Sequence, residues 1–192
     1  METGLRFAGA WTGTAYRFVT VHYSNRQDLL SGAGSRAHGG RWNPPDHFSV
    51  VYGSLSPQAA VAESLSTSGN FGIPPAKVRP RVFAAIEFAL QSVLDLTNPK
   101  VAKRLALDFD KLFQEDWNAS QDAGHEAMSQ ALGRIAWELK LEGIIVPSAV
   151  VSQANNIAVF PGRRLRASSW KFKGLATCRE NKTQPGTPDS SR

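Results

Sequence analysis

The sequence predicts an α+β fold in a single domain, and three observations carry that expectation. Strand-like and helix-like segments neither alternate strictly, as in a doubly wound sheet, nor separate into blocks. A length of 192 residues suits one domain with at most a short loose end. A composition of 42 % apolar and 20 % charged residues is enough to build a packed core, and no internal repeat divides it.

The elements follow in chain order. AYRFVTVHY (15–23) is aromatic and β-branched, the composition of a strand. SGAGSRAHGGRWNPP (31–45) is rich in glycine and closes on two prolines, so a loop is expected there, with a backbone free to approach a ligand. FSVVYGS (48–54) reads as a buried strand. SPQAAVAESLSTS (56–68) opens with a Ser cap and Pro57 at the first helical position and should end at Gly69. A loop covers 69–80. RVFAAIEFAL (81–90) and a short VLDL (93–96) read as strand, and 98–118 as one or two short helices. The clearest helix is 123–143, where Ala127, Leu132, Ile135, Ala136 and Leu139 recur at three- and four-residue steps. IIVPSAV (144–150) and NNIAVF (155–160) are two further strands. The domain should occupy residues 1–175, leaving 176–192 as a polar, Pro-containing, disordered tail.

Charge and cysteine usage narrow the setting. A net charge of +6 suits phosphate-bearing or acidic partners, but much of it crowds Arg163, Arg164, Arg166, Lys171, Lys173, Arg179 and Lys182. A solvated basic end and a binding surface both fit that crowding. Cys178 is the single cysteine and cannot form an internal disulfide, which suits a reducing compartment. The first residues lack a signal-type apolar run, and stretches such as Val82–Leu90 are too short for a bilayer. A soluble cytoplasmic protein is expected.

Several chemistries lack their motifs. GxxxxGK[ST], GxGxxG after a strand and GxSxG are absent, and His22, His38, His47 and His125 have no zinc spacing. No metal or cofactor is expected. Trp117 and Trp137 read as packing residues, His38 as a solvated loop side chain, and Asp108, Asp110, Glu115 and Asp116 as a solvated helix face.

What remains is a constellation around one strand–helix pair. Tyr52 follows Arg41 by the same interval at which Glu63 follows Tyr52. A loop arginine beside Gly39 and Gly40 can offer a guanidinium fork and backbone N–H groups to a phosphate. A strand tyrosine supplies a ring face and a hydroxyl. A helix glutamate can bind a sugar hydroxyl or stabilise positive charge on a sugar carbon. Glu63 shares a helix face with Ala59 and Ala60, the small-residue side, and a carboxylate there needs a partner, for which a buried arginine is the natural candidate.

These residues stand in a recognisable order. YRF (16–18), SGAGSRAHGGRWNPP (31–45), VVYGSLSPQAAVAE (50–63), VPSAV (146–150) and NNIAVFP (155–161) together resemble the RES domain family, toxins of RES–Xre toxin–antitoxin systems. The resemblance spans about residues 14–164. It implies a mixed sheet similar to that of ADP-ribosyltransferases, with a cleft for NAD⁺. It implies NAD⁺ as substrate, not cofactor, degraded by phosphorolysis or hydrolysis, with inorganic phosphate as a candidate co-substrate. It also implies an Xre-type antitoxin as partner and leaves a homodimer open; no membrane or direct nucleic-acid partner is expected.

By the same resemblance, Arg17 and Arg41 would hold phosphate groups, Tyr52 would line the nicotinamide side, and Glu63 would be the charge-stabilising carboxylate. Ser148 would be the serine of the family name; Ser152, lacking the preceding proline, is its competitor. Trp42 and Asn156 fall in matching stretches and join the substrate-contacting set. Phe18 departs from the pattern, because many relatives carry tyrosine after the first arginine. Transfer of ADP-ribose to a protein and a non-catalytic basic binding module are the alternative functions.

Overall fold

The computed structural model describes residues 7–70 and 81–177. The loop expected at 69–80 therefore lies largely outside the described residues, as do Cys178 and the tail from residue 178 onward.

One long strand organises the sheet. β3 (Arg81–Asp95) pairs along one edge with β1 (Ala8–Thr20), antiparallel, from Ala8↔Leu94 to Thr20↔Arg81. Its other edge is shared. The first part carries β6 (Ser169–Thr177), antiparallel, and the last part carries β4 (Gly143–Pro147), parallel. β4 pairs with β5 (Asn155–Val159), β5 with β2 (Val51–Ser54), and β2 returns to β1 through Tyr16↔Ser54. The ring β1–β2–β5–β4–β3 closes on itself and β6 hangs from β3. The sheet is mixed, as the sequence leads one to expect.

Strand periodicity sorts side chains onto two faces. Val50, Leu94, Ile144, Val146, Ala158 and Phe160 enter one core cluster with Trp42, Phe48 and Leu141. Their neighbours Val51, Val93, Ile145, Ile157 and Val159 enter the other, with Ala15, Ile86, Phe88 and Trp170. Each fully buried Leu, Ile or Phe contributes about 1.5–3 kcal/mol, so the two clusters hold the ring shut from both sides. Glu142, 0 % exposed, stitches the ring's neighbours together. Its Oε2 accepts from the backbone N–H of Gln91 (2.6 Å) and Ser92 (3.2 Å), and its Oε1 from Leu165 (3.0 Å).

The helices are short. α1 (Arg26–Ser31) runs up to the stretch expected to be loop and α2 (Ala33–His38) lies inside it, the two joined at Gly32, whose φ of 63° suits glycine. α3 (Pro57–Asn70) starts where expected, with Ser56 Oγ accepting the Ala59 N–H (3.2 Å), but runs through Gly69. The segment 98–118 holds α4 (Pro99–Arg104), α5 (Phe109–Gln114) and the start of α6 (Trp117–Asp122), three helices where one or two were expected. Each begins with an Asn or Asp side chain accepting backbone N–H groups, so Asp108 and Asp116 of the acidic run are helix caps. α7 (Met128–Glu138) is the core of the long helix expected at 123–143, which is cut short on both sides.

Three strand boundaries also differ. β1 starts seven residues earlier than expected, and Val21–Tyr23 is a 3₁₀ turn rather than strand. β3 continues without a break across 81–95 because β1 pairs with nearly its whole length. β6 was read only as basic sequence. Its buried Trp170 and partly buried Phe172 alternate with exposed Lys171 and Lys173, the pattern of a half-buried strand. It runs to Thr177, the last of the described residues.

Candidate active site

The sheet delivers three chain segments to one carboxylate. The register pairs Tyr16 with Ser54, Ser54 with Asn156, and Asn156 with Val146, so these residues form a row across β1, β2, β5 and β4. α3 begins just after β2 and lies over this part of the sheet, contacting β1 and β2. From α3, Glu63 Oε1 accepts from Asn156 Nδ2 of the row (2.6 Å) and from Ser148 Oγ (2.6 Å), in the turn after β4.

The donors are fixed by their own bonds. The Ser148 hydroxyl accepts the backbone N–H of Val150 (3.1 Å) and Val151 (2.9 Å), which occupies both lone pairs and leaves its proton for Glu63. A serine held this way aims a carboxylate. Asn156 must turn its NH₂ to the carboxylate, which fixes the amide orientation and leaves its Oδ1 buried without a partner among the described residues. Ser152 is exposed, so the hydroxyl at the carboxylate is that of Ser148.

Arg41 stands close enough for Glu63 to act on its charge. Burial lowers the Arg41 pKa, and Glu63, Tyr52, Asp116 and Glu115, in that order, pull it back up. The guanidinium donates to the Leu112 carbonyl of α5 (3.2 Å) and sits 5.7 Å from the Phe113 ring centre. The cation therefore leans on a segment in which the sequence offered no motif.

Arg41 and Trp42 form the tip of a tight turn, closed by Gly40 N–H to the Asn43 carbonyl (2.9 Å) and Asn43 N–H to the Gly40 carbonyl (3.2 Å). Tyr52 grips this turn. Its hydroxyl accepts the Trp42 N–H (2.9 Å) and donates to Asn43 Oδ1 (2.8 Å). Burial pushes the Tyr52 pKa up, so the phenol keeps its proton for that donation. The hydroxyl thus holds the arginine turn. The Trp42 side chain is 4 % exposed and packs in the core.

Arg17 and Phe18 lie at the edge of the constellation. Arg17 donates to the Leu29 carbonyl of α1 rather than to Glu63, and desolvation lowers its pKa to about 10. No carboxylate among the described residues pairs with it. Phe18 contributes its backbone: its carbonyl accepts from Ser64 Oγ, next to Glu63, and from Arg81 (3.1 Å). The Phe18 ring, the position where the family resemblance places a substrate contact, faces the Arg81 guanidinium (5.4 Å) and Phe83 (6.4 Å).

The structure thus brings Arg41, Tyr52, Glu63, Ser148 and Asn156 together, with Arg17 nearby on β1. Such a set can anchor anionic oxygen and stabilise a cationic carbon beside a fixed carboxylate.

Comparisons with known proteins agree in extent and order. Over 141 residues the chain is 33 % identical to the NAD(+) phosphorylase MbcT of Mycobacterium bovis, covering 72 % of this chain and 69 % of that protein. The MbcT of Mycobacterium tuberculosis matches with the same figures. The solved Mycobacterium tuberculosis MbcT–MbcA toxin–antitoxin complex holds a chain with the same fold, with a TM-score of 0.70 and 27 % identity over 88 % of this chain and 86 % of that one. The family model for the RES domain matches residues 14–174, which include every residue of the Glu63 cluster, and the chain belongs to the RES domain family.

Proposed function

We propose that this protein is a toxin that degrades NAD⁺ by breaking the nicotinamide–ribose bond, with inorganic phosphate as the acceptor. The observation that carries the reading is Glu63, held on one oxygen by Ser148 and Asn156 beside the Arg41 cation. The relatives named NAD(+) phosphorylase support it at 33 % identity.

The chemistry suits these residues. Nicotinamide leaves as a neutral molecule, taking the C–N bonding electrons, so no general acid is needed. The barrier lies in the positive charge left on the ribose carbon, and a fixed carboxylate lowers it electrostatically. The two hydrogen bonds on Oε1 keep that carboxylate in place, so little reorganisation accompanies the charge. A phosphate oxygen then bonds to the ribose carbon, giving nicotinamide and a phosphorylated ADP-ribose.

Arg41 and Arg17 are the anion anchors in this reading. Arg17 favours a phosphate because its desolvated charge has no carboxylate partner among the described residues, and a dianion would supply one. A cognate antitoxin of the Xre type would restrain the activity, as MbcT is paired with MbcA in its complex. A cytoplasmic setting, where NAD⁺ is at hand, goes with this reading, and no helix of the described residues is long and apolar enough to cross a membrane.

The test is product mass. Purified protein is incubated with NAD⁺, with and without inorganic phosphate. Nicotinamide together with a phosphate-bearing ADP-ribose, formed only when phosphate is present, is the expected result. ADP-ribose formed regardless of phosphate would make the protein a hydrolase, and intact NAD⁺ would overturn the reading.

A further inference from the structure

Gln130 lies ninety residues from the turn that carries Arg41, in a helix the sequence marks only as amphipathic. It is 0 % exposed, unusual for an uncharged polar side chain of that size unless every polar atom has a partner. The partners are specific. Its Oε1 accepts the Ala127 N–H at the start of α7 (3.2 Å). Its Nε2 faces the Gly40 carbonyl (3.2 Å), the Asn43 carbonyl (3.3 Å) and Gln121 Oε1 (2.8 Å). Gly40 and Asn43 are the two residues that close the Arg41 turn. One amide therefore clasps both sides of the turn's neck.

Gln121 of α6 extends the clasp. It accepts from Gln130 and donates to the His38 carbonyl (3.1 Å) on the approach to the turn. Backbone contacts leave no slack. Gly39 has a φ of 71°, and a Cβ there would collide with Gln121 Oε1. A Cβ on Gly133 of α7 would collide with the Trp42 carbonyl. The turn is thus pressed against α7, while its tip arginine reaches the Leu112 carbonyl of α5.

We infer that Gln130, assisted by Gln121, is a positioning residue that sets where the Arg41 guanidinium stands relative to Glu63. The inference rests on the proposed NAD⁺ cleavage for its kinetic readout only. Gln130→Met removes both roles of the amide at constant volume. Gln130→Glu keeps an acceptor for Ala127 and removes the donors to the turn, turning a carboxylate onto three oxygen acceptors.

The experiment pairs kinetics with amide hydrogen exchange. Nicotinamide release is measured for the wild type, Gln130→Met, Gln130→Glu, Arg41→Lys and the double variant Gln130→Met with Arg41→Lys. Both Gln130 variants should lose about 10–100-fold in kcat, the scale of a small misplacement of a binding group. In the Arg41→Lys background, Gln130→Met should cost less than about threefold, because both changes act on one unit. In Gln130→Met the Trp42 amide should exchange at least about tenfold faster while the Ala136 amide in α7 keeps its wild-type rate.

Multiplicative losses in the double variant, or an unchanged Trp42 amide, would overturn the inference. Faster exchange of Trp42 and Ala136 alike would overturn it too, as a general loosening of α7. If Gln130→Met does not fold, Gln121→Ala tests the same clasp from its partly exposed end by the same two readouts. If the wild type releases no nicotinamide, the functional reading fails alone, and the exchange data still decide whether the clasp holds the turn.

Discussion

Glu63 and Glu142 sit in the same small domain, and each is held by hydrogen bonds from distant segments, but the donors differ in kind. Glu142 is bound by backbone N–H groups of Gln91, Ser92 and Leu165, and both its oxygens are used. Glu63 is only partly buried, and side chains of Ser148 and Asn156 converge on its Oε1. Backbone donors make a carboxylate part of the framework, since they can be satisfied only if the chain path is kept. Side-chain donors hold a carboxylate in one orientation without making the chain path depend on it. The difference separates a glutamate that ties β3 to the chain around residue 165 from the one that the proposed reaction uses.

Substitutions should separate the two. Glu63→Gln should lower the rate of NAD⁺ cleavage by about a thousandfold, the scale of losing a preorganised charge at a reacting centre. Its melting temperature should move by no more than a few degrees, read by calorimetry. Glu142→Leu should do the reverse. It breaks three partly buried hydrogen bonds to a charged group, about 1.5–3 kcal/mol each, enough to lower the melting temperature by roughly 10–20 °C in a domain of this size. The folded fraction at low temperature should keep kcat within about twofold of wild type, since a framework residue does not touch the reacting atoms. If both variants lose activity and stability in the same proportion, the distinction fails.

Ser148→Ala sharpens it further. Loss of the hydroxyl leaves Glu63 with Asn156 as its remaining donor of the two, so kcat should fall about 10–100-fold with little change in KM, the signature of a positioning loss. Complete inactivation, or a covalent adduct on Ser148 seen by mass, would instead make the serine a nucleophile.

Arg17→Met should have the smallest effect. KM for NAD⁺ or phosphate should rise about tenfold, while the melting temperature stays level or rises, because a poorly hydrated cation with no carboxylate partner among the described residues adds little to the fold. A fall of more than a few degrees would make the Leu29 bond, not an anion, the purpose of the arginine.

How much of this was legible depends on where each signal resides. The closed sheet was half visible. β2, β4 and β5 announce themselves as short apolar runs, whereas the alternation of Trp170 and Phe172 in β6 is overlaid by the positive charge of Lys171 and Lys173. Glu63 was legible because a carboxylate on the small-residue face of a helix contradicts the pattern around it. The bonds of Tyr52 were not legible. Its hydroxyl turns toward Asn43 and Trp42, a direction set by tertiary packing. Gln121 and Gln130 were invisible, because a polar residue on an amphipathic helix looks solvated until a loop from elsewhere covers it.

The most direct test of the account follows nicotinamide and its partner product by mass, for wild type and Glu63→Gln side by side, in NAD⁺ with saturating phosphate. The account predicts nicotinamide and phosphorylated ADP-ribose in equal amounts from the wild type, and about a thousandfold less of both from a Glu63→Gln protein that melts at the wild-type temperature. Equal yields from the two proteins, or NAD⁺ left intact by the wild type, would contradict it.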